Sequence, residues 1–215
     1  MADGYCALST WINIMKHLLP SVLLLIAACA TVETSADTTA DSSGTTWVYN
    51  SDLPVSHPPF EEVHCNWKDR LDQGYVYLNH RGPYSGTGAL LPEVHRLLAL
   101  QGIQPSGPPF ALYYDDPKSV SPAQLRSRAC VPVESWTRAT GPLSADTLAS
   151  RTVAYTVASG PYPQVPRCYR GLFRYMDKMN WTLAGPIREI YMVPPSEVTG
   201  YESLLCEVQA PVARK

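Results

Sequence analysis

The chain of 215 residues carries no excess of charge of either sign: 17 basic side chains against 19 acidic ones leave a net charge of −2 and an isoelectric point near 6.2. The composition therefore advertises no basic surface for a nucleic acid. No unbroken apolar run reaches the ~20 residues of a spanning helix. C-x-x-C, H-x-x-x-H, H-E and G-x-S-x-G are all missing. Metal centres and serine-hydrolase elbows thus lack a signature, and no cofactor is implied. Hydrophobic residues make up 45%, enough for one core of ordinary domain size or for two small repeats that share one. Twenty prolines against thirteen glycines point to short elements with tight connections rather than a long helical bundle.

Residues 1–29 read as a targeting segment. Leu18 to Ala28 is an apolar run of eleven residues, the length of a signal-peptide core. It runs directly into Cys29, and Ile26-Ala27-Ala28-Cys29 resembles the lipobox of bacterial lipoproteins, in which the cysteine is lipidated. Met15-Lys16-His17 would serve as a normal signal start, so Met15 is an alternative initiator. The competing reading is an uncleaved single-pass anchor, counted from Trp11. Residues 30–46, rich in Thr, Ser, Ala and Asp, read as a flexible linker. The expected location is the cell envelope, as a membrane-anchored lipoprotein facing the periplasm. Of six cysteines, four lie beyond this region, and Cys130 and Cys206 sit in apolar strand-like runs that favour buried free thiols.

The folded part, 47–215, is written twice. A shift of 78 residues without a gap places Tyr77 on Tyr155, Gly82-Pro83-Tyr84 on Gly160-Pro161-Tyr162, Arg96 on Arg174, Gly107-Pro108 on Gly185-Pro186, Tyr113 on Tyr191 and Pro117 on Pro195. Agreement at turn and aromatic positions points to a tandem duplication. Each unit, about 74–133 and 151–212, reads as strand, helix, strand, strand. The helices carry apolar stripes through Leu90, Leu91, Val94, Leu97 and Leu98, and through Tyr169, Leu172, Phe173, Tyr175 and Met176. The expected fold is α+β: two β-α-β-β units joined into one antiparallel sheet with one helix per repeat and a concave groove between the repeats. Residues 47–73 are expected to wrap this body.

The doubled Gly-Pro-Tyr turns, YYDDP at 113–117, RACVPV at 128–133 and GPIREIY at 185–191 resemble the GyrI-like small-molecule-binding family, the effector-binding domain of AraC-type and multidrug-responsive regulators, over about residues 65–212. The resemblance implies a duplicated β-α-β-β fold that binds hydrophobic, often cationic, small molecules, with Glu189 as the acidic group of the pocket. Some members of that family hydrolyse cyclopropane-containing toxins with such a Glu and nearby aromatics, and some membrane-anchored relatives are autophagy receptors. No helix-turn-helix segment precedes the domain, which argues against transcription control.

Glu189 stands where the first repeat has Ala111. Strand alternation gives it a mostly apolar face with Ile187, Tyr191 and Val193, where a carboxylate is costly unless paired. It can meet a cationic ligand, act as a general acid or base, or form a structural ion pair with Arg126, Arg128 or Arg151. Tyr113 and Tyr191 are expected to face each other across the groove as ligand-binding residues, with Tyr77 and Tyr155 on the same wall and Trp181 in the core or at the rim. Three functions follow: a membrane-tethered capture domain for an apolar or cationic ligand; a hydrolase of strained electrophiles using Glu189 and Tyr191; or a protein-interaction receptor at a membrane surface. The oligomeric state is left open.

Overall fold

The computed structural model describes residues 51–215. The expected leader, Cys29 and the expected linker 30–46 lie outside the described residues. Nine strands and two helices follow one another as β1 (Cys65–Arg70), β2 (Gln73–Arg81), α1 (Leu91–Leu100), β3 (Phe110–Tyr113), β4 (Arg126–Pro132), β5 (Ser144–Leu148), β6 (Arg151–Ser159), α2 (Tyr169–Lys178), β7 (Trp181–Leu183), β8 (Ile187–Tyr191) and β9 (Leu205–Arg214). Among the described residues no helix is long and apolar enough to cross a membrane.

The expected α+β duplication is present. The sheet runs β1-β6-β9-β8-β3-β4-β2-β5, antiparallel throughout, with the short β7 added along the C-terminal end of β9. This order is a palindrome under the 78-residue shift. Its centre is the β3–β8 pair, where Ala111 lies directly opposite Glu189. These two residues are also sequence equivalents, so the pseudo-twofold axis passes through them.

The repeat is longer than its sequence signal. β1 and β5 are 78 residues apart and form an additional leading strand in each unit. Each crosses over: β1 pairs with β6 of the second unit, and β5 with β2 of the first. The exchange covers both sheet edges with strands from the opposite unit, which joins the halves by backbone hydrogen bonds as well as by packing. Residues 51–64 pack on the second unit, where the Ser56 N–H donates to the Val157 carbonyl at 2.8 Å and the Ser159 N–H to the Ser56 carbonyl at 2.9 Å. Gly171 of α2 admits this segment, because a Cβ there would lie 2.4 Å from Cβ of Val63.

Both helices bury the centre of the expected stripes, Val94, Leu97 and Leu98 from α1 and Leu172 and Met176 from α2, while Leu90, Leu91, Tyr169 and Tyr175 are half-buried and Phe173 is exposed. Each stops at a left-handed residue one position beyond its C-cap, Gly102 at φ +65° and its equivalent Asn180 at φ +56°. One sheet face carries the helices. The other holds a second cluster built from Tyr75, Phe110, Leu112, Cys130 and Ile190. Cys65, Cys130, Cys168 and Cys206 are all free thiols.

Candidate functional site

Glu189 lies in the middle of the central strand pair, on the helix-bearing face, and is 2% exposed. Ala111 opposite is small enough to leave room for its side chain. The carboxylate meets three phenols: the Tyr169 hydroxyl donates to Oε1 at 2.6 Å, while Tyr191 and Tyr113 reach Oε2 at 3.1 and 3.3 Å. The Tyr113 and Tyr191 hydroxyls are themselves 3.0 Å apart. Their four contacts share three hydroxyl protons, so Tyr113 and Tyr191 cannot both donate to Oε2 and also hydrogen-bond to each other.

Among the described residues no cationic side chain forms an ion pair with Glu189. Arg126 pairs with Asp115, Arg128 with Asp146, and Arg151 donates to the Ala184 carbonyl. The structural ion pair expected as an alternative is therefore not formed. Burial pushes the Glu189 carboxyl above the usual carboxylate range, and the three phenolic hydrogen bonds oppose that shift only in part. The same burial, together with the nearby carboxylate, raises the Tyr113, Tyr191 and Tyr169 phenols.

Repeated aromatic pairs frame the acid. Tyr84 packs on Tyr113 with ring centroids 4.8 Å apart, and the equivalent Tyr162 packs on Tyr191 at 4.7 Å. The Tyr84 hydroxyl donates to the Asp115 carbonyl at 2.8 Å, and the Tyr162 hydroxyl to that of Val193, the matching position. The Gly-Pro-Tyr turns thus anchor one tyrosine in each unit as a wall of the site. α2 adds Tyr169 and, above it, Phe173 in an edge-on contact at 6.2 Å. Together they bound a groove of about 1100 Å³ between the two repeats with Glu189 at its floor, above the usual size range of small-molecule pockets.

The symmetry is broken twice at one place. Tyr169 corresponds to Leu91 as Glu189 corresponds to Ala111, so the acid and its shortest hydrogen bond both belong to the second unit.

Of the residues expected to bind ligand, Glu189, Tyr191 and Tyr113 come together in this groove, whereas Tyr77 and Tyr155 do not. In register, Tyr77 lies beside Cys130, Cys130 beside Phe110, and Phe110 beside Ile190, all on the face opposite Glu189. Tyr155 lies beside Gln209, and Gln209 beside Arg188, on that same opposite face. A strand position one residue away from the Glu189 row points through the sheet. Trp181 packs edge-on to Tyr175 against the core. The groove residues Tyr84, Tyr162, Tyr169 and Phe173 were visible in the sequence only as turn and stripe residues. Tyr169 differs from Leu91 in the aligned repeats just as Glu189 differs from Ala111, and that paired difference was the available signal. Among the described residues no group of three or more His, Cys, Asp or Glu side chains is placed to hold a metal.

The model of the GyrI-like small molecule binding domain matches residues 69–213. The chain belongs to the GyrI-like family. A comparison with curated proteins gives no match. Among solved structures, this GyrI-like chain is similar to the EcmrR C-terminal domain, with TM-score 0.64 and 18% identity over 71% of this chain and 99% of that one. EcmrR in a complex with DNA is similar at TM-score 0.63 and 17% identity; the match covers 70% of the present chain and only 57% of that longer chain. A hydrolase encoded by lin2189 from Listeria innocua gives TM-score 0.51 at 9% identity over 69% and 91%. SAV2435 bound to tetraphenylphosphonium gives 0.50 at 14% over 69% and 93%. At these identities the structural likeness is one of fold, and it places the groove on a GyrI-like scaffold.

Proposed function

We propose that this GyrI-like domain captures an apolar organic cation in the groove between its repeats, with Glu189 as counter-charge, and that Cys29, lipidated in the cell envelope, tethers it to a membrane surface. The observation that carries this reading is Glu189 itself: a buried carboxyl that has no cationic partner among the described residues, at the floor of an aromatic groove. Ionising it in the empty protein is costly, and a ligand cation offsets that cost where no side chain does. The Tyr113 and Tyr191 rings and the exposed edge of Phe173 supply cation–π and apolar contact of about 0.5–2 kcal/mol each. A large delocalised cation suits such a site because its own desolvation is cheap. The tetraphenylphosphonium carried by SAV2435 is a ligand of that class.

The test is a titration of wild type and Glu189→Gln with tetraphenylphosphonium and with neutral triphenylphosphine oxide. The phosphonium should bind the variant at least about ten-fold more weakly, as expected for a lost charge contact, with little change for the oxide. Equal losses for both probes would refute charge matching.

A second reading, hydrolysis of a strained electrophile, draws on the raised carboxyl of Glu189 and its contact with Tyr191, an acid–base pair in reach of one bound molecule. Incubation with a cyclopropanoid substrate and mass analysis for the water adduct tests it. Product formed equally by wild type and Glu189→Gln would eliminate it.

A further inference from the structure

The sheet face opposite the groove holds buried and half-buried arginines, with Glu207 paired to Lys68 on the same face. Arg188, next to Glu189 in sequence, points through the sheet and is 4% exposed. Its guanidinium stacks over Phe110 at 4.0 Å and donates from Nη2 to the Gln73 side-chain carbonyl at 2.6 Å, while Nε is buried without a hydrogen-bond partner. No carboxylate forms an ion pair with it among the described residues. Burial, with Arg70 nearby, pulls Arg188 down to about 9.

Beside it lies a second cavity of about 330 Å³, whose wall includes Leu112, the register partner of Arg188. Three arginines line this cavity, and Asp146 is its one acidic lining residue. Arg128 is accounted for: it pairs with Asp146 at 2.9 Å and with the Tyr75 hydroxyl at 2.7 Å. Among the described residues Arg70 and Arg151 form no ion pair. Arg70 spends Nη2 on the Ala149 carbonyl at 2.8 Å, and its Nε is buried without a partner. Arg151 spends Nη1 on the Ala184 carbonyl. The two cations are close enough to disfavour each other, and Asp72, the nearby acid, already accepts the Ser150 N–H. Thr147 adds a further polar side chain to the wall, and Leu112, Tyr114, Pro186 and Pro211 supply its apolar part.

We propose that this cavity is a second binding site, separate from the groove, for a small organic carboxylate whose charged end bridges Arg70 and Arg151 and whose apolar body lies against Tyr114 and Pro186. Guanidinium forks match a carboxylate in shape and charge, and one anion would relieve the repulsion between two arginines while moderating the buried charge of Arg188 behind them. Two arginines together with the apolar side chains Leu112, Tyr114, Pro186 and Pro211 favour a carboxylate with a hydrophobic body over a bare inorganic anion.

Benzoate is the probe. Full-length protein is titrated with benzoate, with benzamidine as the cation of the same shape, and with inorganic phosphate, while amide shifts are followed by NMR at Ala184, Gly185 and Glu189. Benzoate should saturate, move Ala184 and Gly185 more than Glu189, and bind Arg151→Gln about ten-fold more weakly, the loss expected for one charge-assisted contact. Arg151 is exposed, so that variant keeps the fold, and Arg70→Gln should lose at least as much. The proposal is overturned if benzoate fails to saturate by about 50 mM, a limit beyond which binding is negligible. It is overturned as well if benzamidine binds equally well, if Arg151→Gln binds benzoate unchanged, or if the shifts centre on Glu189. Phosphate displacing benzoate at equal concentration would refute the organic carboxylate and leave an adventitious anion only.

Discussion

Glu189→Gln should change not only ligand binding but the way stability depends on pH. The folded protein raises the Glu189 carboxyl by burial, against three phenolic hydrogen bonds. Below the ordinary Glu value of about 4.3 the group is protonated in folded and unfolded chains alike, and it adds no slope. Above that value the unfolded chain has released its proton while the folded chain still holds it, so the unfolded state binds fewer protons and stability falls as pH rises. The fall continues until the folded carboxyl itself titrates, and for one proton its slope cannot exceed about 1.4 kcal/mol per pH unit. Gln keeps the shape and a neutral polar end but has no proton to lose. Other titrating groups, such as Asp115 and Asp146, whose carboxyls are lowered by Arg126 and Arg128, cancel when wild type and variant are compared at each pH. Urea denaturation of both proteins from pH 4 to pH 8 measures the difference. Wild type should lose ground to Glu189→Gln across this range, and saturating tetraphenylphosphonium should abolish the trend by favouring the ionised form. A flat difference, or one that favours wild type as pH rises, would refute a buried carboxyl without a counter-ion.

Tyr169→Phe removes the 2.6 Å hydrogen bond to Glu189 but keeps the ring. A hydrogen bond to a charged group contributes about 1.5–3 kcal/mol, so phosphonium affinity near neutral pH should drop about ten-fold or more in calorimetry, while triphenylphosphine oxide binding should hardly change. Gly171→Ala forces a Cβ against Val63. The overpacking should cost about 1–3 kcal/mol in urea denaturation, against a gain in helix propensity of at most about 1 kcal/mol. Adding Val63→Ala should restore most of the loss, and a purely additive double mutant would refute the contact. Mass spectrometry of the mature protein should find a lipidated chain beginning at Cys29; an unmodified chain beginning at residue 2 would refute the tether.

The duplication, the two helical stripes and the oddity of Glu189 were legible because each is a local pattern or a comparison of the chain with itself. Tyr113 and Tyr191 followed from the same alignment, and they do meet at the acid. Tyr77 and Tyr155 were misplaced because sequence alternation says which residues within one strand share a face, but not which faces of different strands coincide. That depends on register between segments far apart in the chain, and the Tyr77–Cys130–Phe110–Ile190 row sets it here. The crossing of β1 and β5 to the opposite repeats was hidden for a related reason: a short turn between adjacent strands suggests a hairpin, and only the assembled sheet shows each strand paired elsewhere.

By itself the sequence determined that one unit occurs twice and that a single carboxylate distinguishes the copies, because composition and spacing are properties of the chain alone. Tertiary structure decided what that carboxylate meets. Placing the symmetry axis through Ala111 and Glu189 brings Tyr113 and Tyr191, 78 residues apart, to one oxygen, and helix α2 supplies Tyr169 to the other. Convergence of that kind depends on packing between distant elements, which no local pattern in the chain records.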